Sequence, residues 1–147
     1  MCNSPEDLDL KGIDTVAVDI ETYDPNLKTQ GLGAIRNDGF ICGIAVATGK
    51  ETAYFPLRHS DIFIDYKRDE KIWDALNEKI FQNENITKVF HNAMYDVCWI
   101  RAVTGMKMKG RIVDTMIAAS VIDENRFKYS LDSLSKDYLN EEKYKYD

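Results

Sequence analysis

Two acidic residues lie two positions apart within an otherwise apolar segment, VAVDIETYDP at residues 16–25. The alternation of apolar residues predicts a buried strand, so Asp19 and Glu21 point to the same face, roughly 6–7 Å apart along the strand. Like charges this close raise each other's pKa unless a cation lies between them. Carboxylate oxygens are ligands of hard divalent cations, so the pair indicates a metal site. The alternative is two solvent-facing residues at a strand end, and the pair alone does not decide.

A third carboxylate comes from the segment VFHNAMYD at residues 89–96. The pattern predicts a strand followed by a helix that begins near Asn92, with Asp96 in or just past the first helical turn. Because ligands gather at the carboxyl ends of strands in open sheets, we expect Asp96 to face the same edge as Asp19 and Glu21. The alternative is structural, with Asn92 as the helix cap and Asp96 as a first-turn acid stabilised by the helix dipole.

Apolar periodicity distributes these residues over an alternating series of strands and helices. The sequence predicts strands at 14–21, 40–47, 52–57, 86–90 and 110–113, and helices at 67–82, from about 92 to Gly105, at 115–122 and from Leu131. Asp114 and Ser130 are predicted to cap the last two helices. This order predicts an α/β fold: a mixed sheet, with an antiparallel three-strand meander plus parallel strands, covered by helices. It is the element order of a ribonuclease H-like fold, which other mixed sheets share.

Composition, cysteine content and net charge limit the classes of protein to which the chain can belong. The 147 residues are 44% hydrophobic and 30% charged, as expected of one globular domain over residues 1–147. No apolar run is long enough for a membrane helix, and the N-terminus lacks the pattern of a signal peptide. The three cysteines form no CxxC motif and indicate reduced thiols in the cytoplasm. The net charge of −6 excludes general polyanion binding, so any nucleic acid must bind at a local site.

The motifs DIET and, further along the chain, HNAMYD resemble the D-x-E and N-x3-D motifs of the DEDD 3′–5′ exonucleases. RIVDTMIAASVI and YSLDSLSKDYL extend the likeness in order and spacing, so it covers nearly the whole chain. The chain is most similar to the proofreading domain of family A DNA polymerases, both bacterial and phage. The segment DIETYDPNLKTQGLGAIR favours a phage or prophage origin. The resemblance implies metal-dependent removal of nucleotides from DNA 3′ ends during DNA replication.

The resemblance also implies a metal centre. In that family, the positions of Asp19, Glu21 and Asp96 hold two Mg²⁺ or Mn²⁺ ions. Asp19 would bridge both ions and Glu21 would bind one of them. Asp96 would hold the second, directly or through water. Two such ions can activate a water molecule and stabilise the departing 3′ oxygen.

Three further positions match substrate contacts of the family. Asn92 and Tyr95 correspond to residues that contact the terminal nucleotide, and Thr22 would lie beside the scissile phosphate. The partners implied are the single-stranded 3′ end of DNA and the remainder of a DNA polymerase, in the host cytoplasm if the gene is from a phage. No membrane partner is expected.

The fourth acidic motif of the family, Y-x3-D or H-x4-D, has no match at the expected place. Tyr138 and Glu142 form Y-x3-E, which is too early and carries the wrong acid. We therefore expect a C-terminally incomplete domain whose metal binding and hydrolysis are weakened or lost when this chain acts by itself. The alternative is a catalytically inactive module of the same fold that binds single-stranded DNA or a protein partner. A phosphohydrolase with Asp19 as nucleophile is a third interpretation, for which no convincing later Lys and Asp follow.

Two other segments have alternative interpretations. GLGAIRNDG, at residues 31–39, has the start of a phosphate-binding loop, but Arg36 occupies the position of a third glycine. A hairpin loop beside the site, touching the DNA strand, is the other possibility.

Asp114 could be mistaken for the fourth acid. Its place directly before an apolar helix favours a capping role, and the resemblance gives it no metal.

Overall fold

A five-stranded mixed sheet forms the centre of the structure, a computed structural model that describes residues 4–59 and 64–141. The strands are β1 (Thr15–Tyr23), β2 (Phe40–Ala47), β3 (Thr52–Pro56), β4 (Thr87–Phe90) and β5 (Ile112–Asp114). They lie in the order β3-β2-β1-β4-β5, with β1, β2 and β3 antiparallel and β1, β4 and β5 parallel. The predicted α/β fold, with an antiparallel meander joined to parallel strands, is confirmed.

The helices are α1 (Leu27–Gln30), α2 (Gly33–Arg36), α3 (Tyr66–Leu76), α4 (Ala93–Thr104), α5 (Thr115–Ile122) and α6 (Leu131–Leu139). The last four follow the predicted order, whereas α1 and α2 are single helical turns where the sequence predicts a loop. A 3₁₀ turn at Pro5–Asp7 precedes β1, and a π-helical turn at Asn77–Phe81 extends α3. Glu142, of the Y-x3-E sequence, lies outside the described residues. None of the described helices is both long enough and apolar enough to cross a bilayer.

Strand β1 is longer than predicted because its pairing with β2 continues through a bulge. Glu21 pairs with Gly43 and the next residue, Thr22, pairs with Ile41, so Cys42 is the extra residue of β2. The pairing then reaches Tyr23. A bulge increases the local twist and changes the direction of the side chains beside it. Here it lies next to the predicted metal-binding acids.

The hydrophobic core lies on one face of the sheet. Val16, Val18 and Ile20 of β1 are buried beneath α3 and α4, whose Trp73 and Trp99 belong to the same cluster. Burial of each such aliphatic side chain contributes about 1.5–3 kcal/mol. The intervening residues of β1 lie on the opposite, open face, and they include both Asp19 and Glu21.

A buried lysine joins the loops at the amino end of the parallel strands. Lys88 of β4 is 0% exposed, because it shares the buried face of that strand with Phe90. Its Nζ donates to the carbonyl of Asn83 at 2.5 Å and to that of Lys109 at 2.6 Å. Burial lowers the pKa of Lys88. The ammonium group therefore ties two loops together from within the protein.

The C-terminal helices leave apolar surface exposed. Val121 and Ile122 of α5 are 80% and 73% exposed, and Leu139 of α6 is 66% exposed. Phe127, in the connection between the helices, is fully exposed. Large apolar side chains exposed together are typical of an interaction surface or an aggregation-prone one.

Candidate active site

Asp96 is hydrogen-bonded to the backbone of β1 near its carboxyl end, on the edge of β1 that faces β4. The pairing of β1 with β4 stops at Ala17 and Val89, so the later part of β1 has no strand on that side. There Oδ1 of Asp96 accepts a hydrogen bond from the N–H of Ile20 at 3.1 Å. Asp96 is only 3% exposed, in the first turn of α4. The prediction that this residue returns to the end of β1 agrees with the geometry.

The electrostatics around Asp96 oppose its ionisation. Burial raises the pKa of Asp96 to about 7, although the hydrogen bond from Ile20 acts in the opposite direction. The negative charges of Asp19 and Asp114 raise this pKa further. The fold therefore brings Asp96 close enough to Asp19 for the two charges to repel. A proton or a cation at this place would relieve the repulsion.

Glu21 lies further along the open face, beside an aromatic ring. Its β2 partner is Gly43, and a Cβ atom built there would lie 2.1 Å from the hydroxyl of Tyr54. Only a glycine lets the Tyr54 ring cross β2 at this point. Burial raises the pKa of Tyr54, and the charge of Glu21 raises it further. Glu21 and Tyr54 are thus neighbours on the exposed face of the sheet.

A hydrogen bond joins two of the predicted substrate-contacting residues. Oγ1 of Thr22 and the hydroxyl of Tyr95 lie 2.6 Å apart, and both side chains are partly buried. Thr22 follows the D-x-E pair on β1, while Tyr95 precedes Asp96 on α4. The bond therefore fixes the end of β1 against the first turn of α4.

Asn92 occupies the N-cap position of α4 but does not cap it with its side chain. Its backbone is in the left-handed region, with φ 69° and ψ 54°, and its side chain makes no capping hydrogen bond. The structural interpretation of Asn92 as the cap is therefore wrong. The cap comes from Asp114, whose Oδ1 and Oδ2 accept from the N–H groups of Asn92 at 3.1 Å and Ala93 at 2.8 Å.

Asp114 caps two helices at once. As predicted, it also caps its own helix, α5, by accepting from the N–H groups of Met116 at 2.9 Å and Ile117 at 3.4 Å. Burial acts to raise the pKa of Asp114, but the backbone hydrogen bonds from Ala93, Asn92, Met116 and Ile117 together lower it. A low pKa keeps this carboxylate charged. The only sequence signal for the second cap is the position of Asp114 at the end of β5, next to β4 in the sheet.

His91 has a defined orientation that the sequence did not predict. Oγ1 of Thr115 donates to the carbonyl of Phe90 at 3.1 Å and lies 2.9 Å from Nδ1 of His91. Because a hydroxyl carries one proton, Nδ1 of His91 is the donor to Thr115. Within the described residues, its Nε2 is buried and has no hydrogen-bond partner. His91 and Asp19 line the same cavity of about 270 Å³.

The segment GLGAIRNDG is not a phosphate-binding loop. The expected hairpin loop contains the two helical turns α1 and α2. The guanidinium of Arg36 donates to the carbonyls of Gln30 at 2.7 Å and Gly31 at 2.6 Å, and to Oδ2 of Asp38 at 3.1 Å. Oδ2 of Asp24 accepts from the N–H of Gly33 at 3.0 Å. The guanidinium of Arg36 and the N–H of Gly33, which could otherwise bind a phosphate, are therefore already hydrogen-bonded within the loop.

The predicted metal ligands do not form a ready-made cage. Within residues 4–59 and 64–141, no group of three His, Cys, Asp or Glu side chains is arranged to hold a metal ion. Asp19 and Asp96 nevertheless repel one another, and both offer the oxygens that Mg²⁺ and Mn²⁺ prefer. The donor chemistry therefore fits a divalent cation, while the contribution of Glu21 stays a prediction.

A family model and several known proteins match nearly the whole chain, and the matched stretch includes the predicted metal ligands. The family model for the 3′–5′ exonuclease of family A DNA polymerases matches residues 4–147. The DNA polymerase DpoZ of Salmonella phage PMBT28 is 30% identical over 135 residues, which cover 91% of this chain and 19% of the polymerase. The exosome complex exonuclease RRP6 of Saccharomyces cerevisiae is 29% identical over 132 residues, which cover 90% of this chain and 15% of that protein.

Among solved structures, Brucella melitensis NrnC with bound Mg²⁺ has the same fold. The TM-score is 0.69 at 20% identity, and the match covers 99% of this chain and 63% of NrnC. This likeness supports the ribonuclease H-like architecture of the sheet and helices. The chain spans only 19% and 15% of the two curated relatives, so it corresponds to one part of each.

Proposed function

Because the chain belongs to the 3′–5′ exonuclease family of family A DNA polymerases, we propose that it removes nucleotides from DNA 3′ ends. In this proposal it is the proofreading part of a DNA polymerase. The observation that carries the proposal is the position of Asp96, buried against the end of β1 and repelled by Asp19. A buried carboxyl beside a second carboxylate, at the carboxyl edge of a sheet, is suited to a cation that meets a phosphate.

The family depends on divalent metal ions, and the NrnC neighbour carries bound Mg²⁺. In our proposal Asp19, Glu21 and Asp96 hold two ions, Mg²⁺ or Mn²⁺. When bound, such ions activate a water molecule and stabilise the leaving 3′ oxygen. The protein contributes the positions of the ligands. The N–H of Ile20 orients Asp96, and the β1 backbone sets the spacing of Asp19 and Glu21.

The remaining predicted residues would position the substrate. Oγ1 of Thr22 and the hydroxyl of Tyr95 lie 2.6 Å apart. In our proposal Thr22 lies beside the scissile phosphate and Tyr95 contacts the terminal nucleotide. The carboxylate of Asp114 holds the N–H groups of Asn92 and Ala93, which fixes the turn that carries the Asn92 side chain. In our proposal this turn contacts the terminal sugar and base.

The test is cleavage of 5′-labelled single-stranded DNA, with RNA of the same sequence in parallel and with Mg²⁺ or Mn²⁺. The sequence predicts weakened hydrolysis, so we expect a slow ladder that shortens from the 3′ end of DNA and disappears in Asp19→Ala. Asp14→Ala is the matched control, because Asp14 directly precedes β1 at its opposite end and is exposed. RNA cut in preference to DNA would overturn the DNA assignment. Folded wild-type protein without a ladder would favour an inactive binding module.

A further inference from the structure

An aromatic ring continues the face that carries the acids of β1. Tyr23 lies two residues after Glu21, at the end of β1, and is 54% exposed. Its ring stacks on that of its β2 partner Phe40, with centroids 5.2 Å apart and an interplanar angle of 28°. Residues two apart on a strand are roughly 6–7 Å apart. The stacked pair therefore begins about one nucleotide step from the predicted metal ligands.

A cation covers the same aromatic group. Cζ of Arg58 lies 5.9 Å from the ring centroid of Phe40 and 5.6 Å from that of Tyr66, which is itself 68% exposed. The position is fixed by the bulge of β2, since the carbonyl of Cys42 accepts from the N–H groups of Leu57 at 2.8 Å and Arg58 at 2.9 Å. Tyr23, Phe40, Arg58 and Tyr66 form what we call the aromatic strip.

Arg36 and Arg58, two arginines near the end of β1, differ in their hydrogen bonds. The guanidinium of Arg36 donates to two backbone carbonyls and to the carboxylate of Asp38. In the described residues, by contrast, Arg58 makes no ion pair and its guanidinium makes no hydrogen bond to another side chain. A guanidinium stacked on rings keeps its N–H edges available for a phosphate. Exposed aromatic rings with such a cation are the chemistry of single-strand binding, in which bases stack and phosphates pair with Arg.

We propose that the aromatic strip binds the single-stranded segment that leads to the 3′ end, with bases stacked on Tyr23 and Tyr66 and a phosphate on Arg58. The occupant follows from the proposed function, on which this inference rests. The strip lies beyond the terminal nucleotide, so it adds affinity only for strands longer than those that the acids and Thr22 can reach. Its effect is therefore a dependence of binding on strand length.

The experiment measures binding by fluorescence anisotropy, in EDTA, of 5′-labelled deoxythymidine oligonucleotides: a dinucleotide and a dodecamer. We expect Tyr23→Ala to weaken binding of the dodecamer at least about fivefold, the lower range for loss of one base–aromatic stack. Arg58→Ala should also weaken it and reduce the slope of log K against log salt by about 0.7. Both variants should weaken dinucleotide binding less than dodecamer binding, and Tyr23→Phe should restore dodecamer binding.

Arg111→Ala is the charge-matched control. Arg111 is exposed beside the buried Lys88, at the opposite end of the sheet. Equal losses in Arg58→Ala and Arg111→Ala would overturn the strip, because net charge alone would then explain the binding. Equal losses for both oligonucleotides, or no loss in Tyr23→Ala and Arg58→Ala with wild-type circular dichroism, would overturn it as well.

The binding assay separates this proposal from the exonuclease itself. Binding that depends on Arg58, from a protein that cuts no 3′ end, would support the strip and contradict the exonuclease. Cleavage that depends on Asp19, with length-independent binding in all variants, would support the exonuclease and overturn the strip.

Discussion

An ionisable side chain is buried at each end of the parallel strands, and the two side chains differ in their hydrogen-bond partners and neighbouring charges. At the amino end, Lys88 is fully buried and donates to two backbone carbonyls. At the carboxyl end, Asp96 accepts from the N–H of Ile20 but faces the negative charge of Asp19. Burial of a charge does not by itself mark a site. What distinguishes Asp96 is that two neighbouring carboxylates, those of Asp19 and Asp114, oppose its charge in addition to burial.

The largest expected effect is at the carboxyl end. Asp96→Asn keeps an oxygen that accepts from the N–H of Ile20 and removes the charge, so we expect the protein to fold normally. Cleavage of DNA 3′ ends should fall more than about a hundredfold, since even residues that only support a metal ligand cost 10–100-fold. The measurement is the initial rate on labelled single-stranded DNA. A rate near that of wild type would place the chemistry elsewhere.

Removing the charge of Lys88, at the amino end, should lower the stability of the protein and leave its rate of cleavage unchanged. Lys88→Met fills a similar volume but removes the ammonium donor from the carbonyls of Asn83 and Lys109, of which that of Asn83 keeps the hydrogen bond from the N–H of Ile86. We expect the free energy of unfolding to fall by about 2–4 kcal/mol, because two hydrogen bonds to a charged group, each worth about 1.5–3 kcal/mol, are lost while the cost of burying the ammonium is recovered. The rate of cleavage per folded molecule should be unchanged. Urea unfolding and the same rate assay measure both, and a loss of rate without a loss of stability would contradict the comparison.

A smaller loss of stability is expected where the carboxyl end is held together. Asp114→Ala removes the cap of both α4 and α5, and we expect a loss of about 1–3 kcal/mol from the two caps. Asp114→Asn keeps one acceptor oxygen and should recover part of this loss. Ser130→Ala, which removes the cap of α6, is the matched control away from the site. If Asp114→Ala costs no more than Ser130→Ala, the double cap contributes nothing.

The smallest effect is a pH dependence of the metal-free protein. The pKa of Asp96 is raised from 3.8 to about 7 by burial, so the folded state binds a proton more tightly than the unfolded chain. This group therefore lowers stability progressively as the pH rises from about 4 to about 7. Within this range the slope reaches at most about 1.4 kcal/mol per pH unit. Denaturant unfolding in EDTA should show this slope in wild type and a flatter curve in Asp96→Asn.

Much of the fold could be predicted from local patterns. Alternation in β1 separates the buried valines from Asp19 and Glu21, and the order of strands and helices predicts the mixed sheet. The same period of two places Lys88 on the buried face with Phe90. These features follow from the period of a strand, which every residue in it shares.

What the sequence did not predict depends on contacts between distant segments. The second cap made by Asp114 requires β5 to lie beside β4, and nothing local to Asn92 indicates it. The stacking of Arg58 on Phe40 depends on the bulge at Cys42. The metal site was inferred from the spacing of the carboxylates, and the roles of the ligands from family motifs. Both stay predictions, since the pairing of carboxylates on one strand does not determine what lies between them.

The most direct test of the comparison is the pKa of Asp96, followed by carbon NMR of its carboxyl group and assigned with Asp96→Asn. We predict a pKa of about 7 without metal, because burial and Asp19 oppose its ionisation. Millimolar Mg²⁺ should lower this pKa, because a bound cation favours the charged form. An ordinary pKa without metal, or a raised one that Mg²⁺ and Mn²⁺ leave unchanged, would contradict the assignment of Asp96 to a cation site.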